Sequence, residues 1–571
     1  MHFTTHFFIY SGLVFFAKSW YNFHIMWSKI WFKLTTTLTG GAIIIAASSV
    51  GSRFLGLIRD RLLAAKFGAG NELDIYYAAF RIPDLVFNVL VLGALSAAFI
   101  PIFIQYIQKA KENPEAKNEV WYLVNSLLNI LLIGLVFFGI LFFIFAPQII
   151  PLIAPGFDMQ KQIVTVKMTR IMLVSIVFFG ISNILTGVLN SFKRYINFAF
   201  APVMYNIGLI LGISVFVKYY GIYGLAYGVV LGSLLHLLIQ LPGAIKLGFR
   251  YKFVFDTKHA GVRNIGKLML PRTFGLAVGQ VDQLISVIIG STLAAGSVAI
   301  FTFANNLQSF PINVFGVSVA VASFPFLSEA FVQKKNQVFI EHFSESFRRI
   351  LFVVIPISVL ILLLRAQLVR VILGTGAFDW NDTYLTAQTL GIFSLSLFAQ
   401  SVIPLLARSF YAWQDTKTPV KVALVSVAMN IIGALIFTRF LGVMGLALSF
   451  TISSFINMIL LLVFLRSKVG NLDDKRIIIS TLKIVVISAM MGALVIAAKY
   501  FLALGVNMQT FVGIFIQGLG AGIFGICSYL VLALLFKCEE VKIIVNWLLK
   551  ARHQLFNNKK SKNIQPEKNN E

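Results

Sequence analysis

The stretch from Val120 to Ala146 contains no charged residue, and similar apolar stretches recur along the chain. About 20 consecutive apolar residues are enough for a helix to cross the hydrocarbon core of a bilayer. Charged residues make up 12% of the 571 residues, whereas a soluble domain has about a quarter. Because so few charges cannot cover a water-facing surface, the sequence predicts a protein that is largely surrounded by lipid.

The apolar stretches are predicted to be helices, because they are continuous and do not alternate with polar residues as membrane β-strands do. Charged loops or loops rich in Gly and Pro separate them. We therefore predict an all-α polytopic membrane protein with about 14 transmembrane helices. The predicted ranges are 36–66, 72–106, 119–147, 161–191, 197–218, 222–243, 268–290, 296–332, 345–369, 382–411, 417–437, 442–465, 480–502 and 510–537.

Lys and Arg are concentrated in the loops after even-numbered helices, and the opposite loops hold scattered residues such as Lys218 and Arg439. Because cytoplasmic loops carry an excess of Lys and Arg, this side and both termini are predicted to be cytoplasmic. The net charge of +26 then follows from topology and does not indicate nucleic-acid binding. Residues 1–35 are predicted to form a cytoplasmic extension, and 538–571 an interfacial helix with a basic tail.

Three sequence landmarks return once, in the same order and at nearly constant offsets of 221, 224 and 228 residues. A shared offset indicates an internal duplication. The duplicated unit of six helices predicts two lobes in a V shape, 36–243 and 268–465, joined by a linker at 244–267 and followed by two helices within 466–537. The landmarks are Gly221-Ile-Tyr-Gly-Leu-Ala226 with Gly442-Val-Met-Gly-Leu-Ala447, Asn206 with Asn430, and Pro83-Asp-Leu-Val-Phe-Asn-Val89 with Pro311-Ile-Asn-Val-Phe-Gly-Val317.

Charged residues inside the first two predicted helices need an explanation, because an ionised side chain at mid-membrane costs about 2.5–3.5 kcal/mol. One interpretation is a set of ion pairs that hold the two helices together. The other is a hydrated cavity in which guanidinium groups face an anionic head group, since the planar fork of Arg binds phosphate well. The charged residues are Arg53, Arg59, Asp60, Arg61, Asp74, Arg81 and Asp84.

Six short segments carry a family resemblance. They are Ser52-Arg-Phe-Leu-Gly-Leu-Ile-Arg-Asp60, Phe67-Gly-Ala-Gly70, Asp74-Ile-Tyr-Tyr-Ala-Ala-Phe-Arg-Ile-Pro83, Gly93-Ala-Leu-Ser-Ala-Ala-Phe-Ile-Pro101, Ala154-Pro-Gly-Phe157 and Gln414-Asp-Thr-Lys-Thr-Pro419. Through them the chain resembles the MurJ (MviN) family of lipid II flippases over residues 36–537. The resemblance implies the fold of the multidrug/oligosaccharidyl-lipid/polysaccharide exporter superfamily, with a central cavity between the lobes and alternating access.

The resemblance also implies a substrate site built from charged and polar groups. At two places the chain departs from the family, which usually carries Arg shortly after the P-N-L segment of helix two and A-D-R-L in helix eight. Here these places hold Asn88 and the segment Ala304-Asn-Asn-Leu307, so positive charge is lost at both. The candidate substrate-binding residues are Arg53, Arg59, Asp60, Asp74, Arg81, Asn88, Arg272 and Asn306.

The function implied is a monomeric, non-enzymatic flippase in the bacterial cytoplasmic membrane, which moves lipid II for peptidoglycan synthesis. Its partners would be a lipid-linked saccharide and membrane lipids, with no nucleic acid and no cofactor. The alternatives are a flippase for another polyprenyl-linked oligosaccharide, an ion-coupled drug antiporter of the same superfamily, and a membrane scaffold. Coupling to Na⁺, H⁺ or the membrane potential stays open. Asp282 is a candidate cation ligand, with an interhelical polar contact as the competing interpretation.

Overall fold

The computed structural model describes residues 38–92, 99–113 and 117–541. The predicted extension at 1–35 and most of the predicted basic tail lie outside the described residues. Within these ranges the secondary structure is helical and contains no strand. The predicted all-α membrane fold is confirmed.

The helices follow one another with short connections. The helices are α1 (Leu38–Phe67), α2 (Asn71–Val86), α3 (Ile100–Glu112), α4 (Lys117–Ile153), α5 (Met159–Met172), α6 (Val174–Ser191), α7 (Tyr195–Ala199), α8 (Ala201–Leu211), α9 (Val217–Tyr220), α10 (Tyr223–Leu238), α11 (Leu241–Lys246), α12 (Ala260–Ser291), α13 (Ser297–Pro311), α14 (Ser318–Val332), α15 (Asn336–Ile372), α16 (Trp380–Leu395), α17 (Leu397–Ala412), α18 (Lys417–Leu441), α19 (Val443–Val469), α20 (Asp474–Gly505) and α21 (Phe511–Leu535). Three π-helical segments, Phe87–Leu92, Gly212–Phe216 and Ile312–Val317, continue directly from α2, α8 and α13.

Every predicted span coincides with one or more of these helices, but the predicted count of fourteen membrane crossings is not confirmed. Ten helical segments among the described residues are long and apolar enough to cross a membrane, or eleven if α16 and α17, which are bent by 47°, form one span. The three predicted spans outside this set correspond to α1, to α2 with α3, and to α12. These are the spans that carry the intramembrane charges, such as Arg59, Asp84 and Asp282.

The two sequence repeats share local backbone features. Gly221 and Gly442 each end a helix with a positive φ, of 57° and 55°, a conformation that glycine adopts without strain. The landmarks that begin at Pro83 and Pro311 each lead into a π-helical segment of six residues. The repeated sequence motifs therefore form the same local structures in both halves of the chain.

Packing divides the chain into two units, which comprise residues up to 63 with 75–280, and 64–74 with 281 onward. In the second unit, α20 and α21 pack against α15. Tyr529 of α21 donates a hydrogen bond to the Phe352 carbonyl oxygen at 2.7 Å, and Gln367 donates one to Gln517 at 2.8 Å. The last two helices are thus joined to the second unit by polar contacts as well as by apolar packing.

In the first unit, part of the predicted linker is tied to α4 as an extended strap, residues 250–256. Asn129 is 1% exposed and donates hydrogen bonds to the carbonyl oxygens of Lys252 and Val254, both at 3.0 Å. Asn125 donates to the Arg250 carbonyl oxygen and accepts from the Lys252 N–H, also at 3.0 Å. Buried amides on one face of α4 therefore fix the path of the linker.

Candidate functional site

Arg59 and Asp60 form an ion pair in the C-terminal third of α1. The Arg59 Nε and Nη2 both donate to the Asp60 Oδ1, at 3.0 and 2.8 Å. Asp60 is 4% exposed, and Tyr76 and Tyr77 of α2 lie near the guanidinium. Consecutive residues on a helix point in different directions, so the long Arg side chain folds back to reach its neighbour. One predicted site pair is thus assembled within a single helix.

A second polar group comprises Arg81 and Asp84 of α2 and Asn88 of the π-helical segment that follows it, which are spaced three and four residues apart and so lie near one face. The amide of Asn88 donates to the Asp84 carbonyl oxygen at 2.8 Å and to its carboxylate at 2.9 Å. Arg81 interacts electrostatically with Asp84. Asn88 therefore serves as a hydrogen-bond donor to a carboxylate at a position where the sequence analysis expected a cation.

Asp74 contacts the backbone at the start of α13. Its Oδ2 accepts a hydrogen bond from the Gly296 N–H at 2.7 Å, and its Oδ1 accepts one from the Ala299 N–H at 2.9 Å. These N–H groups lie at the start of α13, where the backbone N–H groups of a helix have no carbonyl acceptor within the helix. Asp74 is 3% exposed and satisfies them as a capping residue does. The contact lies within the second unit.

The charge that remains on α1 and α2 in the first unit is positive. Four Arg residues, at positions 53, 59, 61 and 81, accompany two Asp residues, at 60 and 84, which gives a net charge of +2. Arg53 is partly buried and makes no hydrogen bond or ion pair with a described residue. A partly buried guanidinium without a carboxylate favours an anionic ligand or water as its partner. Asp74 does not contribute to this sum, because it belongs to the second unit.

Asn306, on α13 in the second unit, lies in a polar group with its neighbours. Gln308 donates to the Asn305 side chain at 3.0 Å and accepts from Gln400 of α17 at 3.1 Å. The Asn306 carbonyl oxygen accepts a hydrogen bond from Ser309. The side chain of Arg272 lies outside the described residues. The binding roles of both residues stay predictions.

Asp282 contacts Asn430, a residue that the sequence analysis identified as a repeat landmark but not as a site residue. The Asn430 Nδ2 donates to the Asp282 Oδ1 at 2.6 Å, which is the interhelical polar contact offered as the competing interpretation. Asn430 is 3% exposed, and its Oδ1 has no hydrogen-bond partner among the described residues. Hard cations bind carboxylate and amide oxygen atoms, such as those of the Asp282 carboxylate and the Asn430 Oδ1. No group of three or more His, Cys, Asp or Glu residues in the described part of the chain has a metal-binding arrangement.

Comparison with known proteins gives a consistent result. The family described as lipid II flippase MurJ matches residues 63–516. A lipid II flippase MurJ from Burkholderia cenocepacia is 30% identical over 435 residues, which cover 75% of this chain and 83% of that protein. A solved structure of a lipid II flippase MurJ in an inward closed conformation has a TM-score of 0.72 at 27% identity, and the alignment covers 86% of this chain and 98% of that one.

The fold is also similar to that of a multidrug resistance transporter of the MATE family and MOP superfamily, solved in an inward-facing conformation. The TM-score is 0.61 at 15% identity, with 76% of this chain and 99% of that chain covered. At this identity the similarity concerns the fold alone. It agrees with the superfamily that the sequence motifs implied.

Proposed function

The chain belongs to the lipid II flippase MurJ family, and from this premise we propose that it moves lipid II across the bacterial cytoplasmic membrane for peptidoglycan synthesis. The observation that carries the proposal is the net charge of +2 on α1 and α2 of the first unit. Arg53 and Arg59 would hold the diphosphate of the head group through charge-assisted hydrogen bonds. The polyprenyl tail would stay in lipid while the head group crosses.

No bond is made or broken in this process, so the chain acts as a transporter and not as an enzyme. The protein would replace the water molecules around the head group with hydrogen-bond donors that are held in fixed positions. Arg59 is suited to this, because its pairing with Asp60 keeps the guanidinium in place and neutralises part of its charge when no substrate is bound. We further propose that the protein acts as a monomer with both termini in the cytoplasm, as the Lys and Arg distribution predicts.

Asp282 and Asn430 provide a candidate site for a coupling cation. The proposal rests on the unpartnered Asn430 Oδ1 beside the Asp282 carboxylate, 2.6 Å from the Asn430 amide nitrogen. Na⁺ or H⁺ bound there would neutralise a carboxylate within the membrane, which lowers the cost of burying it. Asn430→Leu should then remove any dependence of transport on that ion and leave transport driven by the membrane potential unchanged.

Complementation of a strain depleted of its own lipid II flippase tests the proposed function. Arg59→Lys keeps the positive charge and the ion pair but loses the fork that contacts two phosphate oxygens. It should reach wild-type abundance in the membrane and support growth poorly, and Arg59→Ala should support growth less still. Arg439→Ala, an exposed Arg at the end of α18, is the matched control and should behave as wild type.

The outcomes separate a transport role from a structural one. If Arg59 has a packing role alone, Arg59→Lys should grow normally, and Arg59→Ala should lose abundance because Asp60 is left buried without its partner. Normal growth of a well-expressed Arg59→Ala variant would exclude this residue from the mechanism. Failure of the wild-type chain to complement would instead favour another polyprenyl-linked oligosaccharide as substrate, in keeping with Asn88 and Asn306 at positions where the family carries charge.

A further inference from the structure

Two cations face one cavity on the first unit, outside the group of charges on α1 and α2. The cavity has a volume of about 410 Å³ and none of its lining residues is acidic. It lies beside the turn at Gly221, in a loop that the Lys and Arg distribution assigns to the outer side of the membrane. The lining residues are Phe143 of α4, Lys167, Arg170 and Ile171 of α5, and Tyr223 and Tyr227 of α10.

Arg170 is held in place by Phe143 through two contacts. The Arg170 Nε donates a hydrogen bond to the Phe143 carbonyl oxygen at 2.9 Å, and the guanidinium carbon lies 4.8 Å from the centre of the Phe143 ring. This carbonyl is available because Pro147, four residues later in α4, has no N–H to bond with it. The two Nη groups make no hydrogen bond or ion pair with a described residue. The guanidinium is thus oriented, and its fork is left for a ligand.

Lys167 lies three residues before Arg170, so both side chains project from the same face of α5. Lys167 is exposed and has no carboxylate partner among the described residues. Loops and helix ends on the outer side of a membrane protein usually carry few Lys and Arg residues. Many cations are expected on the cytoplasmic side whether or not they bind a ligand. Two cations at one cavity on the outer side are unusual, and an anionic ligand would explain them.

We propose that this cavity binds the phosphate group of a lipid in the outer leaflet, with Arg170 and Lys167 as its cationic ligands. A guanidinium fork beside an ammonium group matches the several oxygen atoms of a phosphate ester. Tyr223 and Tyr227 suit the level of the lipid head groups, where amphipathic rings are enriched. Exposed apolar side chains lie on one face of α4, the helix that carries Phe143, and offer a surface for the acyl or prenyl chain, at Ile133, Phe137, Ile140 and Ile144.

Binding to the purified full-length chain in detergent tests the proposal, with native mass spectrometry as the readout. The probes are a short-chain phosphatidylglycerol and undecaprenyl diphosphate. Losing hydrogen bonds to a charged group should weaken binding about tenfold or more in Arg170→Gln, and further in the double variant with Lys167→Gln. Lys218→Gln is the matched control, because this exposed cation lies near the same side of the membrane but does not line the cavity.

Pro147→Ala gives a sharper test, because it changes no charge and no lining residue. The new N–H would bond to the Phe143 carbonyl oxygen as in a regular helix and would compete with the Arg170 Nε for this acceptor. Binding should weaken although both cations are present. A regular helix with unchanged binding would contradict the proposal that the Phe143 contact orients Arg170 for the ligand.

The two probes distinguish the source of the phosphate. A loss confined to phosphatidylglycerol would identify a structural phospholipid, and a loss with undecaprenyl diphosphate would identify a polyprenyl lipid. Both outcomes support the site, and neither depends on whether the chain transports lipid II. Wild-type affinity of the double variant for both probes, or an equal loss in Lys218→Gln, would overturn the proposal. Because Lys167 has no carboxylate partner among the described residues, Lys167→Gln keeps the test valid if Arg170→Gln unfolds.

Discussion

Replacement of Asp74 should destabilise the second unit by an amount that its contacts allow us to work out. The carboxylate accepts hydrogen bonds from the Gly296 and Ala299 N–H groups, and each bond to a charged group contributes about 1.5–3 kcal/mol. The buried carboxylate loses hydration on folding, which offsets part of this gain, and capping residues contribute about 0.5–2 kcal/mol in practice. Asp74→Ala should therefore cost about 2 kcal/mol. Asp74→Asn keeps one acceptor and should cost about 1 kcal/mol.

Thermal unfolding of the detergent-solubilised protein measures this difference. Unfolding of a unit of about 300 residues has an entropy of about 0.6 kcal/mol/K, so a loss of about 2 kcal/mol corresponds to a melting temperature lower by roughly 3 °C. Gly296→Ala should lower it at least as much, since a Cβ there would lie 1.8 Å from the Ala69 carbonyl oxygen and φ is 86°. Gly221→Ala is the matched control, because φ is 57° but nothing lies within 4 Å of its Cβ. If Asp74→Ala melts within about 0.5 °C of wild type, the cap does not stabilise the fold.

A cysteine at Ala294 should react with a membrane-impermeant maleimide in intact cells, and one at Asn336 after permeabilisation alone, in a background without the two native cysteines. The reverse labelling would overturn the orientation. Burial raises the pKa of Asp415, but hydrogen bonds from Lys468 and from the start of α18 outweigh burial and lower this pKa from 3.8 to about 2. Because the folded-state pKa is depressed, Asp415→Asn should lower the melting temperature at pH 5 and make no difference below about pH 2. Asn129→Leu should free the strap, so trypsin should cleave after position 252 faster than in wild type, and an unchanged rate would contradict the strap contacts.

The helices were predictable because their apolar runs are long and uncharged, and the fourteen predicted segments coincide with helices. Membrane crossing was harder to predict for α1, α2 and α12, where charged residues such as Arg59 and Asp282 interrupt the apolar pattern. Sequence alone indicates that such charges exist within the membrane. It does not indicate which of them are paired, because the length and flexibility of an Arg side chain permit several partners.

Within the candidate site, the adjacency of Arg59 and Asp60 in the chain made their proximity predictable. The partner of Asp74 was not, because it consists of backbone N–H groups 222 and 225 residues away. A helix start that lacks a capping side chain of its own gives a weak signal of this contact, and Gly296 before α13 is such a start. The role of Arg170 had a clearer signal that was not used. Pro147 leaves the carbonyl oxygen four residues earlier without a donor, and a cation on the next helix is a natural partner.

The Asp74 contact also bears on how related sequences would have to be compared. Two side chains that form an ion pair can change together, so such a contact leaves correlated substitutions at two alignment columns. Asp74 binds main-chain atoms, which every residue except proline supplies, so no second side chain has to change with it. The Asp74 contact instead imposes a steric restriction, since a side chain at Gly296 would collide with the Ala69 carbonyl oxygen. Covariation between columns would therefore miss this contact, and a requirement for glycine at 296 would be its visible sign.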